Sequence, residues 1–154
     1  MDQPLIYKYK PNCLDDFDFD EDFKYVIRRL LKCNLLNILL VGDSGSCKTS
    51  LLNIICREYY GESYDKSNIL TINSLKEQGI SYYRTEVKTF CQTICTIPKK
   101  KKIILIDDLD LINENSQQVF RNCLDKYSKN VNFIASCTNL QKVIETYQSR
   151  VNIF

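Results

Sequence analysis

Gly42-Asp43-Ser44-Gly45-Ser46-Cys47-Lys48-Thr49 follows the apolar run Leu36–Val41 and precedes Leu51, Leu52, Ile54, Ile55, Cys56 and Tyr59. The run reads as a strand buried on both faces, and the residues after the loop repeat at helical spacing up to Gly61. A glycine-containing turn between a buried strand and a helix is the setting of a phosphate loop, G-x-x-x-x-G-K-[ST]. Consecutive backbone N–H groups and a helix N-terminus make an anion cradle there. Lys48 is spaced to reach β- and γ-phosphates and the Thr49 hydroxyl to ligate Mg²⁺. One position departs from the pattern, because Cys47 stands where it has Gly. If that residue takes positive φ, its Cβ costs about 1–2 kcal/mol and crowds the phosphate. A chance glycine-rich turn and a weakly binding loop are the alternatives.

Working outward, Ile103-Ile104-Leu105-Ile106-Asp107-Asp108-Leu109-Asp110 is a second apolar strand, ending in acids. After a phosphate loop this reads as a Walker B element. Asp107 is the candidate to hold Mg²⁺ through water, and Asp108 the candidate to orient an attacking water. Asp108 is one methylene shorter than the Glu common at that place, and such misplacement is costly to catalysis. A third strand, Val131–Ser136, leads into Cys137-Thr138-Asn139, where either Thr138 or Asn139 can touch the γ-phosphate and the water. An Asn-stabilised turn is the plain alternative.

The remaining periodicities complete an alternating chain. Phe23, Val26, Ile27, Leu30 and Leu31 predict a helix over 20–33. Asn68–Ile72 is a short strand, and Ser81 caps a helix running to about Cys95. Asn115 or Ser116 opens a helix with Val119, Phe120, Cys123, Leu124 and Tyr127 on one face. A short helix over 141–146 and a strand over 150–154 finish the order. Alternation of this kind predicts a parallel sheet with helices on both faces.

The chain has 154 residues, enough for one α/β domain, and 44% apolar residues, which excludes disorder. It has no His, so every histidine base and His-containing metal site is excluded, and a net charge of +2 leaves any nucleic-acid contact to a local patch. The eight cysteines follow a start, Met1-Asp2-Gln3, with no apolar signal core, and read as reduced intracellular thiols. Cys91 and Cys95 are four apart with no second pair to complete a zinc set, so they read as core residues. Asp16, Asp18 and Asp20 have calcium-loop spacing, but Glu21 and Ile27 stand where the loop needs Gly and Glu. Lys99–Lys102 reads as a solvated loop. No run approaches the ~20 apolar residues of a membrane span. A single Ala beside 17 Ile, 13 Asn and 15 Lys suggests an AT-rich genome of viral or protist kind.

Together these pieces resemble the AAA+ clamp loaders, specifically the small subunits of replication factor C. Ile6-Tyr7-Lys8-Tyr9-Lys10-Pro11, followed by Leu14-Asp15-Asp16, is similar to that family's opening box against the adenine, with Lys10 in place of Arg. Ile72-Asn73-Ser74 through Gln78-Gly79-Ile80 is similar to the segment before its DNA-facing helix, and Arg84 and Lys88 match basic positions on that helix. Gln117-Gln118 matches its paired glutamines. Gln148-Ser149-Arg150-Val151 resembles its Ser-Arg-Cys motif, with Val151 for Cys. The resemblance covers Leu5 to about Val151.

It implies a P-loop NTPase sheet of five parallel strands in the order 5-1-4-3-2. It implies ATP and Mg²⁺ at Gly42–Thr49 and Asp107, and catalytic roles for Asp108, for Thr138 or Asn139, and for Arg150, the last as a finger to a neighbouring subunit's phosphate. The implied partners are other subunits of a hetero-oligomeric ring, a sliding clamp, and primer–template DNA met by Arg84 and Lys88. The implied location is the nucleus or a viral replication compartment. The family's helical lid and collar lie beyond the residues present, so 1–154 is expected to be the nucleotide-binding domain alone. Two functions follow: a clamp-loader subunit with weak, DNA-dependent ATPase activity, or a clamp-loader-like interaction module with a degenerate loop, which Cys47 favours. A helicase loader is a third; the Ser-Arg pair and the Lys-Tyr-Lys-Pro opening argue against it.

Overall fold

The computed structural model describes residues 3–76 and 78–154. Met1 and Asp2 of the opening tripeptide, and Glu77 within the segment before the basic helix, lie outside the described residues. In order, α1 (Leu5–Lys8), α2 (Glu21–Cys33), β1 (Ile38–Val41), α3 (Lys48–Tyr60) and β2 (Ile69–Asn73) form the first half. A helical run follows: α4 (Ile80–Tyr82), a π-helical turn Tyr83–Val87, and α5 (Lys88–Gln92). Then come β3 (Lys102–Asp107), α6 (Glu114–Lys126), β4 (Val131–Cys137), α7 (Glu145–Gln148) and β5 (Asn152–Ile153).

The five strands form one parallel sheet in the order β2-β3-β4-β1-β5, the expected order. Burial on both faces explains the unbroken apolar stretches Ile38–Val41 and Ile103–Ile106. Ile38, Leu40, Ile103, Leu105 and Ile134 pack against α2 and α3. Leu39, Ile104, Ile106, Phe133 and Ala135 face the opposite way, toward the 80–92 run, α6 and Tyr147. Successive residues alternate between two cores because a strand's side chains have a period of two. Register places Leu39 beside Ala135 and Ile106 beside the same Ala135. The chain's single alanine is thus the middle of the sheet.

Several local expectations are corrected. The 80–92 run is capped by Gly79, not Ser81, and stops at Gln92. Thr85 Oγ1 donates to the Ser81 carbonyl at 3.0 Å and Thr89 Oγ1 to that of Thr85 at 2.8 Å. Such back-bonding competes with the helical ladder and accompanies its widening to a π turn. Because the helix ends at Gln92, Cys95 does not share a helix face with Cys91, which is buried in the same core cluster as Cys123. α6 opens at Glu114, since the Asn113 side chain accepts the Ser116 N–H at 2.8 Å. The segment 140–148 splits into a 3₁₀ turn (Leu140–Lys142) and α7, and the final strand shrinks to two residues, leaving Arg150 in the turn before it.

Of Lys99–Lys102 only Lys99 is the exposed loop residue that the sequence predicts; the other three are partly or fully buried. Lys102 opens β3 buried, with its ammonium 4.5 Å over the Phe90 ring and donating to Thr93 Oγ1. Lys100 lies 4.4 Å over the Tyr59 ring, and Lys101 Nζ donates to the Ser128 carbonyl at 2.9 Å. Long aliphatic stems let lysines cover apolar surface while aromatic faces and carbonyls receive the charge. The first of the three spaced acids is likewise structural. Asp16 accepts the N–H groups of Asn12 and Cys13 at 2.7 and 3.2 Å, which hold its carboxyl below its usual pKa.

Candidate functional site

The loop after β1 is built by close approach. Gly42 donates its N–H to the Cys137 carbonyl at 3.2 Å, tying the loop to the end of β4. A Cβ on Gly42 would stand 2.7 Å from Ser46 Oγ. Gly45 takes φ +82°, and Ser46 closes the turn by bonding the Asp43 carbonyl through both N–H and hydroxyl. Cys47 then takes φ 64° and ψ 15°, the left-handed conformation its Cβ disfavours. α3 begins at once with Lys48, so its unpaired N–H groups face the loop.

Lys48 Nζ is curled under the loop, donating to the carbonyls of Gly42 and Asp43 at 2.7 Å each. Thr49 Oγ1 donates to Asp107 Oδ2 at 2.8 Å across the gap between α3 and β3. The same carboxylate accepts the Ser136 hydroxyl at 2.6 Å, and Ser136 Oγ in turn accepts the Asp108 N–H at 3.1 Å. Nothing in the sequence assigns Ser136 a part, yet it holds both acids from the neighbouring strand. Its signal was a buried hydroxyl near the end of a mainly apolar strand, legible only once β3 and β4 are known to be neighbours.

Asp108 also takes a left-handed conformation, φ 55°. Burial, then the charges of Asp107 and Asp110, raise its pKa above the ordinary carboxylate value, while Lys48 pulls it down. Gly45, Cys47, Lys48, Thr49, Asp108 and Thr138 line a cavity of ≈370 Å³. Asn139 has other work: its Oδ1 accepts the Gln141 N–H at 3.0 Å and its N–H bonds Asp110 Oδ2 at 3.0 Å. Of the two open candidates, Thr138 is the one on the cavity wall. Beside the loop, Phe19, Phe23, Val41, Leu51 and Phe154 line a second, mainly apolar cavity of ≈360 Å³ that also reaches Lys48.

Other residues singled out in the sequence stand apart from this cluster. Leu5, Ile6, Tyr7 and Tyr9 of the opening box are exposed. Arg84 and Lys88, despite the π turn between them, line one groove of ≈350 Å³ with Gln118, Asn122 and Lys126 of α6. Gln117 is buried, donating to the Leu109, Ile112 and Lys142 carbonyls and accepting the Ile144 N–H. Arg150 lies two residues before Asn152, which pairs with Ile38 at the start of β1, whereas the phosphate loop follows Val41 at its end. Arg150 is therefore at the sheet edge opposite to its own Lys48. Among the described residues no group of three or more His, Cys, Asp and Glu could hold a metal, and no helix is long and apolar enough to cross a membrane.

Comparison with known proteins agrees with this geometry. The model of the ATPase family associated with various cellular activities (AAA) matches residues 38–154. The chain is 33% identical over 156 residues to the probable replication factor C subunit 5 of Dictyostelium discoideum, covering 98% of this chain and 44% of that protein. It is 30% identical over 157 residues to the replication factor C small subunit of Sulfolobus acidocaldarius, covering 100% and 48%. Over 159 residues it is 30% identical to human replication factor C subunit 4, covering 98% and 44%. The chain thus spans somewhat less than half the length of these relatives. Among solved structures, the Thermotoga maritima RuvB Holliday junction branch migration motor matches with a TM-score of 0.72 at 17% identity, over 94% of this chain and 47% of that one. AMPPCP-bound DnaA from Aquifex aeolicus matches with a TM-score of 0.66 at 18% identity, over 93% and 49%. At such identities these two establish the fold.

Proposed function

The chain belongs to the ATPase family associated with various cellular activities, and from that premise we propose that it binds ATP with Mg²⁺ as the nucleotide-binding domain of a clamp-loader subunit. The observation that carries the reading is the Thr49–Asp107 contact at 2.8 Å, which joins the phosphate loop to the acidic strand end. Two hard oxygen donors at that point suit Mg²⁺. The metal, when bound, supplies charge neutralisation at the phosphate oxygens; the rest is done by this chain's residues. Lys48 exchanges two carbonyl acceptors for β- and γ-phosphate oxygens, a charge-assisted and therefore stronger bond. The N–H groups of Gly45 through Thr49 line the cradle, with Asp43 and Ser44 shaping its rim. Asp108 orients water, and Thr138 contacts the γ-phosphate from the opposite wall. The apolar cavity at Phe19, Phe23 and Phe154 suits the flat face of the base.

Similarity to replication factor C subunits over nearly the whole chain supports work in a hetero-oligomeric ring that loads a sliding clamp on primer–template DNA. The location proposed with it is the nucleus or a viral replication compartment, the latter on the composition of the chain alone. Arg84 and Lys88, in one groove with Lys126, are the candidates for the DNA backbone. Arg150 acts on the nucleotide of a neighbouring subunit, since it stands at the far edge from its own. Titration of the pure chain with a fluorescent ATP analogue, with and without Mg²⁺, tests the first part: Mg²⁺-dependent binding is expected, and no binding at millimolar nucleotide overturns it. Replacing Arg84 and Lys88 by Ala is expected to weaken DNA binding by the assembled ring and to lower its salt slope by about one unit per lost contact. An unaltered slope removes the assignment.

A second reading rests on one observation: Cys47 carries a Cβ at positive φ within the loop. Under it the chain is an interaction module that packs in the ring without turnover. Measurable hydrolysis by a ring in which Lys48 of this chain is the sole intact phosphate-loop lysine excludes it.

A further inference from the structure

Arg150 is held by three partners. Its Nε donates to Asp125 Oδ1 at 2.6 Å, and its Nη1 to the Thr146 carbonyl and, at 3.2 Å, to Ser149 Oγ. The other oxygen of Asp125 accepts Arg121 Nη1 at 3.3 Å. Arg121 and Asp125 are one turn apart on α6, and Arg150 reaches them from the turn before β5. The Arg150 and Asp125 side chains remain 32% and 42% exposed, so the pair does little for stability. What it does is geometric. A guanidinium bound at Nε and Nη1 has its plane fixed, and its Nη2 donors take part in none of these bonds. Two arginines also share one carboxylate, so the cluster keeps a net positive charge at the surface, as an anion partner requires.

We propose that Asp125 is a positioning residue, which orients the Arg150 guanidinium so that its free donors meet the nucleotide phosphate of the adjoining subunit. This rests on the reading in which Arg150 acts in trans. The alternative, that Asp125 competes with the phosphate for Arg150, predicts the opposite sign. A long side chain left to its rotamers is seldom in the productive one, and a misplacement of about 1 Å can cost on the order of a hundred-fold in rate. Asp125→Ala should therefore lower kcat at the adjacent subunit by about ten- to a hundred-fold. KM there and nucleotide affinity of this chain should not change.

The experiment uses rings reconstituted from this chain and its partner subunits. Five forms are compared: native, Arg150→Ala, Asp125→Ala, the double Ala variant and Asp125→Asn. The expected result is a large loss with Arg150→Ala, a smaller one with Asp125→Ala, and a double variant no worse than Arg150→Ala alone. Asp125→Asn keeps an acceptor for Nε and should recover much of the rate. In parallel, the ¹⁵Nε–H signal of Arg150 in the chain should be protected from solvent exchange and lose protection in Asp125→Ala. If Arg150→Ala lowers turnover while Asp125→Ala leaves it unchanged or raises it, the positioning role is overturned. Additive losses in the double variant overturn it too, because Asp125 then acts by another route. If Arg150→Ala itself has no effect, it is the trans reading that fails.

Discussion

Among the described residues four non-glycines adopt positive φ, and the sheet divides them evenly. At the edge where β1 and β3 begin are Asn34 and Lys99, with φ 55° and 61°. At the edge where those strands end are Cys47 and Asp108, with φ 64° and 55°. The first pair has a structural return. Asn34 ends α2, its N–H bonding the Leu30 and Leu31 carbonyls, and its Nδ2 donates to the Lys99 carbonyl at 3.2 Å. Asn is also a residue that tolerates this conformation. The second pair makes no side-chain cap, and both residues stand on the wall of one cavity with Lys48 and Thr49. Strain that closes a turn is ordinary, whereas strain gathered around a cavity marks a site. The same division separates the charges, with three acids and a lysine at the strand ends and a shared-carboxylate arginine cluster at the strand starts.

The sharpest break of that comparison is at Arg150. Arg150→Ala should cut ATP turnover at the adjoining subunit by on the order of a thousand-fold, with nucleotide binding by this chain intact. Steady-state kinetics of the mixed ring checks it, and loss of this chain's own binding would mean the two edges are not functionally separate. Next is Lys48→Ala, which should weaken ATP binding by about a hundred-fold through loss of charge-assisted bonds. Thermal unfolding should stay nearly unchanged, because Lys48 bonds loop carbonyls rather than the core. A third test sets the strained residues against each other. Cys47→Gly should stabilise the fold by about 1 kcal/mol, the left-handed penalty less the added chain entropy. Asn34→Ala should destabilise it by about 1 kcal/mol. Urea unfolding reads both. Any tightening of ATP by Cys47→Gly measures the separate crowding of its Cβ on the phosphate.

The smallest effect is electrostatic. The pKa of Asp108 is raised, by burial first and then by Asp107 and Asp110, so the fold disfavours its ionised form. That destabilisation is fully present above the folded-state pKa. It disappears as pH falls below the unfolded value of 3.8. Asp108→Asn should therefore raise the melting temperature slightly at neutral pH and not at acid pH. An equal gain at both would assign the effect to packing.

Much of the site could be read from residues 42–49 and 103–108 because both elements are local. A phosphate loop is a property of consecutive backbone groups, and a strand buried on both faces declares itself by an unbroken apolar run. The left-handed strain at Cys47 was legible for the same reason, since the motif assigns that place to Gly. The strand order followed from the family resemblance. Residues whose meaning depends on a distant partner were not legible. Ser136 matters because β4 lies beside β3 and brings its hydroxyl to Asp107. Thr138 rather than Asn139 reaches the cavity wall because the following 3₁₀ turn uses the Asn139 carboxamide as its cap.

By itself, then, the sequence determined the alternation of strands and helices, the loop and the acids, all consequences of spacing along one chain. Tertiary structure alone decided that Lys102 is buried against Phe90 and that Arg150 meets Asp125 from 25 residues away. It alone separated Arg150 from its own phosphate loop. Such facts depend on which elements become neighbours and in what register. That is settled by the packing of two cores around one sheet rather than by any local pattern.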